Sequence, residues 1–542
     1  MRYGSKIDGK QKYKKSIFIF RRDLRLDDNT ALINALNYSD LVYCIFILDS
    51  NIITPLKSSY SSFSLPIDPH ILLKRKQKRI NLLKFLKESL FDLRSRCNQT
   101  TTKNIESNEI TNKTKISSKL TCLFGDPSAI IDRMIKLDSE IEAIFVNRDY
   151  TPFSIKRDQL ISEICKKYDV DFIDCLDILL NEPEDILNSN NKPFKVFSHY
   201  YNKAIEKPLL KKENSLDIEK FKNNFSSYDN NKLIDNFKDI KIVDDLENFF
   251  SKITLSKNQI FQSNSSLLDF QFNGTRKKYQ DIISKLIKFK KNDNYNIKNN
   301  LLENPSTHLS PYLKFGLCSI REVYFAIQKE LGGNHPLLRQ LYWRDFFVYI
   351  GFHFPFVFKD SFQGKYKNNV IKWKNEPKKF KVWCQGKTGF PIVDAGMREL
   401  NETGFMHNRT RLITASFLVK DLHIDWRYGE RYFALKLVDY DPSVNNGNWQ
   451  WVASTGCDAQ PYFRIFNPWL QQKKFDPYCK YIKKWIPELE KIPKELIHKW
   501  YESKSSFNNP NKSDSIRYYP RPIVDHQKEI LITKELYNIG LY

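Results

Sequence analysis

Residues 16–48 read SIFIFRRDLRLDDNTALINALNYSDLVYCIFIL, and this stretch decides the fold of the amino-terminal part of the chain. Its apolar start, 16–20, leads through a polar loop into the periodic segment 30–36, as a strand leads into a capped helix. The unbroken apolar run 41–48 is typical of a parallel strand that is covered on both faces. The stretch therefore predicts a strand, a helix and a second strand.

The same alternation continues along the chain. Isoleucine and leucine recur at helical spacing over 80–93, Pro127 is placed to open a helix, and short apolar runs at 144–146 and 170–173 predict strands. Strands that alternate with helices indicate a doubly wound α/β domain over 15–180. No G-x-G-x-x-G motif follows the first strand, so the dinucleotide-binding fingerprint is absent.

The later parts of the chain have a different character. The polar stretch 98–119 predicts a disordered insertion. Residues 181–270, in which Lys- and Asn-rich stretches alternate with short apolar patches, predict an ordered interdomain linker. Over 271–505 the apolar residues keep helical spacing, which indicates a larger all-α domain. Residues 506–542 are expected to form a peripheral C-terminal tail.

The 542 residues include 87 Lys and Arg against 63 Asp and Glu, a formal net charge of +24. Such a surplus attracts polyanions and predicts salt-sensitive binding to phosphate backbones. The same surplus also fits a protein whose lysines simply cover solvated faces. Charge alone therefore leaves nucleic-acid binding and a merely basic surface as equal alternatives.

The composition also bears on the compartment. The chain has no apolar run of 18 residues, so we expect no membrane segment, and its basic start leads into too short an apolar run for a signal peptide. Nine cysteines are scattered without a C-x-x-C pair, which argues against a disulfide framework or a structural zinc site. We therefore expect a soluble intracellular protein, cytoplasmic or nuclear, without a metal.

The residues that carry chemistry concentrate between 305 and 475. The segment 439–451, DYDPSVNNGNWQW, combines two acids, adjacent amides, a glycine and two tryptophans. PSTHLS at 305–310 supplies hydroxyls before a helix, a pattern that fits either a phosphate site or an ordinary helix cap. No Walker A, G-x-S-x-G or H-E-x-x-H motif occurs. The tryptophans indicate a buried aromatic cofactor or a surface on which bases stack.

Nine segments, in order, resemble the photolyase/cryptochrome family, and within it the class I cyclobutane pyrimidine dimer (CPD) photolyases. They are IFIFRRDLRL (17–26), VNRD (146–149), LSPYLKFG (309–316), YWRDF (342–346), GKTGFPIVDA (386–395), HNR (407–409), DWR (425–427), NNGNWQW (445–451) and YFRIFNP (462–468). The resemblance spans about 450 residues. It implies an α/β amino-terminal domain and a helical domain that binds FAD.

The resemblance also implies which residues hold the cofactor. Phosphate and ribose contacts fall on Tyr279 and on the run Ser306, Thr307, His308, Leu309 and Ser310. The flavin ring and sugar would be surrounded by Asn408, Arg411, Asp439 and Asp441, with Arg344 on the substrate side of the flavin and Asn445 facing its N5 atom. An Arg411–Asp439 pair beside the ring would be charge-assisted.

The implied reaction is light-driven repair of UV-damaged DNA, in which excited reduced FAD gives an electron to a dimer flipped out of the duplex. Trp449, Trp426 and Trp373 match the three tryptophans that relay electrons to the flavin. Residues that match the dimer pocket or a DNA phosphate contact are Trp343, Trp451, Gln340, Leu412 and Arg464. Gln340 and Leu412 depart from the familiar glutamate and methionine, which puts repair efficiency in question.

Two other functions within the family stay open. Gln340 and the LSPYLKFG segment also resemble (6-4) photolyases, but Asn408 and Leu412 stand where those enzymes carry histidines. A cryptochrome-type photoreceptor would signal through a long C-terminal extension, and only about 40 residues follow the helical core that ends near 505. CPD repair is therefore the favoured prediction, by a protein expected to be monomeric.

The family's amino-terminal domain often carries a second, light-harvesting chromophore, a folate or a deazaflavin. The pair Phe153-Ser154 lacks the amide and acid that help to hold the folate. The identity of the antenna chromophore stays open.

Overall fold

The computed structural model describes residues 12–53, 80–99, 120–209, 225–226, 241–254, 273–285, 302, 306–458, 463–502 and 519–537. The predicted insertion at 98–119 lies outside these residues, except for its first two positions, which end a helix.

A seven-stranded sheet forms the amino-terminal domain. Its strands are β1 (Tyr13–Phe20), β2 (Ser39–Asp49), β3 (Thr121–Gly125), β4 (Ile141–Asn147), β5 (Asp171–Cys175), β6 (Phe225–Ser226) and β7 (Lys241–Ile242). The order is β5-β4-β1-β2-β3-β7, with β6 paired to β2; among the described strands, the β3–β7 pairing alone is antiparallel. The predicted doubly wound α/β fold is confirmed.

Both faces of the sheet are buried, which explains the unbroken apolar runs. In β1, Ile17 and Ile19 face the helices Pro127–Leu137 and Pro152–Lys167, whereas Phe18 and Phe20 join the core shared with the helical domain. Because successive strand residues point to opposite faces, one short segment contributes to two cores.

The helices of the first half are α1 (Thr30–Tyr38), α2 (Ser50–Ile53), α3 (Ile80–Gln99), α4 (Pro127–Leu137), α5 (Pro152–Lys167), α6 (Phe197–Ile205) and α7 (Leu246–Thr254). Those of the helical domain are α8 (Arg276–Lys285), α9 (Ser310–Phe315), α10 (Ile320–Leu331), α11 (Pro336–His353), α12 (Pro377–Cys384), α13 (Pro391–Thr403), α14 (Asn408–Ser416), α15 (Trp426–Lys436), α16 (Pro442–Val452), α17 (Pro468–Phe475), α18 (Lys480–Trp485), α19 (Lys494–His498) and α20 (His526–Leu536). A π-helical turn, Phe417–Asp421, extends α14.

The segment 181–270 does more than connect two domains. Its strands β6 and β7 extend the sheet, α7 packs on α3, and α6 packs on α11. The prediction of an ordered linker therefore understates this segment, because the short apolar patches alone do not reveal the long-range contacts that bury them.

The C-terminal tail was expected to be peripheral, and its described part is not. Helix α20 lies on the π-helical turn, where Thr533 donates to the carbonyl of Lys420 and His526 pairs with Asp421. His526 and Thr533 are buried. The prediction was wrong because the buried face of this helix is polar, so no apolar stripe marks it.

Buried ion pairs join the two domains. Arg321 of α10 binds Asp177, at 2.8 Å, and Asp28, at 3.2 Å, which both lie in loops at the edge of the sheet. Arg25 reaches the other oxygen of Asp177 at 2.6 Å. Burial alone would raise the pKa of Asp177, but the two guanidinium groups lower it. This network fixes the sheet against the helical domain.

Candidate functional site

Asp439 is the centre of the predicted cofactor site. It lies between α15 and α16, and its Oδ2 accepts hydrogen bonds from Ser310 Oγ at 2.6 Å and from Arg411 at 2.8 Å. The side chain is 4% exposed, and its Oδ1 atom has no donor among the described residues. A buried carboxylate oxygen without a donor is costly, so this atom is available to a donor on a bound molecule.

Tyr279, on α8, is a second buried group with an unused polar atom. The residue is 1% exposed, and its hydroxyl makes no hydrogen bond within the described part of the chain. Burial and the neighbouring Cys318 and Glu322 raise its pKa, so the hydroxyl keeps its proton. The nearby Glu322 carboxylate is held by Arg276 through two 2.8 Å bonds.

The predicted phosphate cradle leads directly into α9. Ser306 and Thr307 are half-buried, and His308 has a left-handed backbone with φ of 55°. Burial lowers the pKa of His308 to about 4, so the ring is neutral near pH 7. Leu309 is the residue before the helix and is buried, whereas Ser310 starts the helix.

Asp441 has protein partners that the resemblance did not imply. It caps α16 by accepting from the backbone N–H groups of Ser443 and Val444, and it pairs with Arg22 of the β1 loop. Arg22 also contacts Asp149 at 3.3 Å. Burial would raise the pKa of Asp441, but Arg22 and its basic neighbours lower it. Asp441 thus joins the two domains, and its predicted contact with flavin stays a prediction.

Arg344 also reaches the amino-terminal domain. Its guanidinium donates to the carbonyl of Ile178 at 2.8 Å and contacts Asp345 at 3.3 Å. Asp345 is fully buried, and burial raises its pKa to about 7 despite Arg344. The predicted place of Arg344 beside the flavin stays a prediction.

Asn445, on α16, is held by a residue that the sequence did not reveal. Its amide nitrogen donates to Glu430 of α15, at 2.8 Å to the carboxylate and 3.1 Å to the carbonyl. Asn445 is buried, and its amide oxygen remains the only acceptor of the group. Glu430 therefore fixes which end of the amide points away from α15. No short motif marks this pair, because 15 residues separate its members.

The three predicted relay tryptophans lie in one part of the helical domain. Trp426 and Trp449 are 2% exposed, on α15 and α16, which pack together, and Trp373 is half-buried. Gly429 makes the close packing feasible, because a Cβ atom there would lie 2.1 Å from the Trp449 ring. Trp373 contacts Tyr537 edge-on, at 5.8 Å between ring centroids.

Trp343, one of the predicted walls of the substrate pocket, is half-buried on α11. One face stacks on Phe197 of α6, with ring centroids 3.6 Å apart and planes 9° apart. Gln340 is exposed one turn earlier on the same helix. Phe197 lies in the segment predicted as a linker, and sequence alone offered no signal for this contact across 146 residues.

The remaining predicted substrate residues, Leu412, Trp451 and Arg464, lie on or beside α14 and α16. Leu412 is half-buried, and Asn408, which was predicted to contact the cofactor, is exposed one turn earlier at the start of α14. Trp451 is half-buried at the end of α16, with the Arg464 guanidinium 5.7 Å from its ring centroid. Asn408 and Leu412 therefore share one helix face.

A pair of arginines lies at the switch point of the sheet, between β1 and β4. Arg21 binds Asp158 at 2.8 Å, and Arg157 binds the same carboxylate at 3.0 Å. Each guanidinium keeps one buried NH2 group without a partner among the described residues. Open α/β sheets bind ligands at this position, so the pair is a candidate anion site.

No group of three or more His, Cys, Asp or Glu side chains in the described ranges is arranged to hold a metal ion. Within the same ranges, every helix is too short or too polar to cross a membrane.

Comparison with known proteins assigns the two domains. Residues 16–103 and 109–217 match the family model of DNA photolyase, and residues 337–538 match the FAD-binding domain of DNA photolyase. The deoxyribodipyrimidine photo-lyase of Alkalihalophilus pseudofirmus is 35% identical over 422 residues, which cover 76% of this chain and 81% of that protein. The chain belongs to the DNA photolyase family. The family resemblance read from the sequence motifs is therefore confirmed.

Solved photolyase structures extend the agreement to the whole fold. An archaeal photolyase from Sulfolobus tokodaii, described with two FAD molecules, matches with a TM-score of 0.74 and 33% identity, over 97% of this chain and 100% of that one. A class III photolyase from Agrobacterium tumefaciens matches with a TM-score of 0.77 and 28% identity, over 98% and 99%. The predicted arrangement of α/β and helical domains is thus that of photolyases.

The helical domain matches an FAD-binding domain, so FAD is the cofactor to be tested against the site. The residues present fit it. The unused Asp439 oxygen and the unused Tyr279 hydroxyl are buried polar atoms on residues predicted to hold the cofactor. The flavin ring of FAD offers an N–H donor, which suits the Asp439 oxygen. The phosphates of FAD offer acceptors, which suit the Tyr279 hydroxyl.

Proposed function

We propose that this chain repairs cyclobutane pyrimidine dimers in DNA by light-driven electron transfer. Its relatives are named deoxyribodipyrimidine photo-lyases, and the chain spans most of their length. The observation that carries the proposal is the buried Asp439 carboxylate, whose Oδ2 is held by Ser310 and Arg411 while its Oδ1 has no donor among the described residues.

The residues around this group hold the cofactor. Asp439, fixed by Arg411 and Ser310, accepts from the flavin ring, and the Tyr279 hydroxyl with the 306–310 segment serves the phosphates and ribose. When bound, reduced FAD supplies the electron, on absorbing blue light, that splits the cyclobutane ring. Glu430 holds the Asn445 amide so that its oxygen is the acceptor presented to the cofactor.

The dimer is held by aromatic and polar walls. Trp343 and Trp451 provide the rings against which the flipped bases pack, and Arg464 binds a phosphate near Trp451. Gln340 hydrogen-bonds the pyrimidine edges, since its amide both donates and accepts. No general acid or base is required, because the reaction is a cyclic electron transfer.

The helix face of Asn408 and Leu412 favours CPD repair over (6-4) repair. An amide and a leucine, one turn apart, supply no titratable proton donor where (6-4) chemistry uses histidines. A photoreceptor without repair activity is the second candidate within the family.

One assay separates these functions. Purified protein with chemically reduced FAD is illuminated with blue light on oligonucleotides that carry either a CPD or a (6-4) lesion, with dark samples as controls. We expect loss of the CPD only. Repair of the (6-4) lesion alone would assign the other enzyme class, and unchanged lesions of both kinds would overturn the proposal in favour of a photoreceptor.

Trp373, Trp426 and Trp449 relay electrons inward from the surface. Trp426 and Trp449 lie on the packed helices α15 and α16, and Trp373 packs against the same hydrophobic core, which supports this role. Trp373→Phe is expected to slow reduction of bound FAD under light at least tenfold, yet to keep repair by chemically reduced enzyme. Trp485→Phe, another half-buried tryptophan of the same domain, is the control. Equal photoreduction in both variants would remove Trp373 from the relay.

A second, anionic chromophore is proposed at the arginine pair, Arg21 and Arg157. Their unused buried NH2 groups at the switch point support it. Chromophore extracted from the purified wild type and from Arg157→Gln identifies the molecule and tests the site. Equal chromophore content in both proteins would place it elsewhere.

A further inference from the structure

Arg339 is an exposed residue in the first turn of α11, one turn before Trp343. Residues four apart share a helix face, so the guanidinium and the indole lie along the same side of α11. Arg339 is exposed and next to Gln340, which puts its charge at the mouth of the proposed substrate pocket.

The guanidinium of Arg339 is held by two aromatic rings of α6. Its central carbon lies 5.2 Å from the Phe197 ring centroid and 5.0 Å from that of Tyr201. These two rings are themselves stacked, at 5.6 Å and 24°. Such cation–π contacts leave the N–H edge of the guanidinium free for other partners.

No carboxylate among the described residues forms an ion pair with Arg339. This contrasts with Arg321, Arg344 and Arg411, which are all paired with acids. An arginine that is oriented by aromatic rings and lacks an acidic partner presents its donors to an incoming anion.

The platform below Arg339 is itself fixed. Phe197 is buried and stacks on Trp343, while its backbone N–H donates to Asp458 Oδ1 at 3.0 Å. The backbone N–H of Asp458 donates in turn to the carbonyl of Lys195, also at 3.0 Å. Phe197 therefore orients the base-stacking ring and the guanidinium together.

We propose that Arg339 binds a phosphate of the damaged DNA strand beside the lesion, and that Phe197 and Tyr201 hold its guanidinium in place for this contact. The inference rests on the proposed function. Fork-shaped N–H donors suit phosphate oxygens, and each neutralised phosphate adds to the salt dependence of binding. Arg339 is thus a DNA-binding residue and the two aromatic residues are positioning residues.

The test measures DNA binding in the dark, by fluorescence anisotropy of a labelled duplex with one CPD, over a range of salt concentrations. Arg339→Gln is expected to weaken binding roughly tenfold at low salt, and to reduce the slope of log K against log salt by about 0.9. Lys166→Gln removes an equal charge from an exposed site at the end of α5 and is the matched control.

A double-mutant cycle tests the platform. Tyr201 contacts Arg339 and has no ring contact with Trp343 among the described pairs, so Tyr201→Leu disturbs the guanidinium more selectively than a change at Phe197. We expect Tyr201→Leu to weaken binding about threefold, and to have no further effect when combined with Arg339→Gln. Thermal unfolding of every variant verifies that the folds are intact.

The outcomes are distinguishable. If the wild type binds damaged duplex no more tightly than undamaged duplex, the proposed function itself fails. If the wild type discriminates but Arg339→Gln has the affinity and salt slope of Lys166→Gln, only the phosphate contact is overturned. Additive effects of Tyr201→Leu and Arg339→Gln would overturn the positioning role.

Discussion

Because the hydroxyl of Tyr279 is unused, removing it should stabilise the FAD-free protein or leave its stability unchanged, but should weaken the binding of FAD. The group is buried, keeps its proton and has no hydrogen-bond partner among the described residues. Leaving such a donor unsatisfied costs roughly 1–3 kcal/mol. Tyr279→Phe removes that penalty, so the apoprotein is expected to be as stable as the wild type, or more stable by about 1 kcal/mol.

Binding of FAD should change in the other direction. A hydrogen bond to a charged group such as a phosphate contributes about 1.5–3 kcal/mol. Its loss in Tyr279→Phe corresponds to a rise in the dissociation constant of roughly 10- to 100-fold. FAD should therefore raise the thermal midpoint of the variant less than that of the wild type.

Tyr312→Phe is the matched control. Tyr312 lies 6.2 Å from Tyr279 between ring centroids, but its hydroxyl donates to the carbonyl of Asn273 at 2.9 Å. This variant should lose about 1 kcal/mol of apoprotein stability and keep its affinity for FAD. Urea unfolding of the apoproteins and fluorescence titration with FAD measure both quantities.

One pattern would refute the reasoning. If Tyr279→Phe destabilises the apoprotein as much as Tyr312→Phe does, and binds FAD as tightly as the wild type, the hydroxyl is satisfied within the protein. The Tyr279 side chain would then have no role in the cofactor site.

Three other buried contacts lead to predictions. Gly429→Ala places a Cβ atom 2.1 Å from the Trp449 ring. It should lower the free energy of unfolding by about 1–3 kcal/mol and slow photoreduction of the flavin. An unchanged thermal midpoint would contradict this prediction. Arg321→Gln leaves Asp177 buried with one cation fewer and should cost about 3–5 kcal/mol in urea unfolding, whereas a loss below about 1 kcal/mol would show that the network is dispensable. Burial would raise the pKa of Asp149, but neighbouring cations lower it to about 2. Because this folded-state pKa lies below the unfolded value of about 3.9, Asp149 stabilises the fold above about pH 4, and the contribution is lost as the pH falls toward 2. Asp149→Asn should therefore reduce the loss of unfolding free energy between about pH 4 and pH 2 in a pH series of unfolding measurements. An unchanged loss in this variant would exclude a stabilising Arg22–Asp149 pair.

Local pattern was sufficient for much of the architecture. The run 41–48 is a parallel strand because both of its faces are covered, and α13 ends at Thr403, where Gly404 takes the left-handed region at φ of 72°. These features depend on residues within about one turn or one strand of each other. Sequence periodicity records such short-range requirements directly.

The candidate site shows where local pattern stops. The partner of Asp441 is Arg22, which lies 419 residues earlier, and the partner of Asn445 is Glu430 on another helix. Phe197 reaches Trp343 from a segment whose composition predicts only a linker. None of these pairs has a spacing that could be recognised without the folded chain.

The sequence by itself determined the family, the doubly wound domain, the helical domain and the residue types available for FAD and DNA. It did so because motifs and hydrophobic periods are properties of neighbouring residues. Only the tertiary structure decided which polar atoms of the described residues are left without partners, which arginines are neutralised by acids, and that Arg339 pairs with no acid within that part of the chain. Those properties depend on burial and on contacts between distant segments, and they are what turn a set of family motifs into specific, testable chemistry.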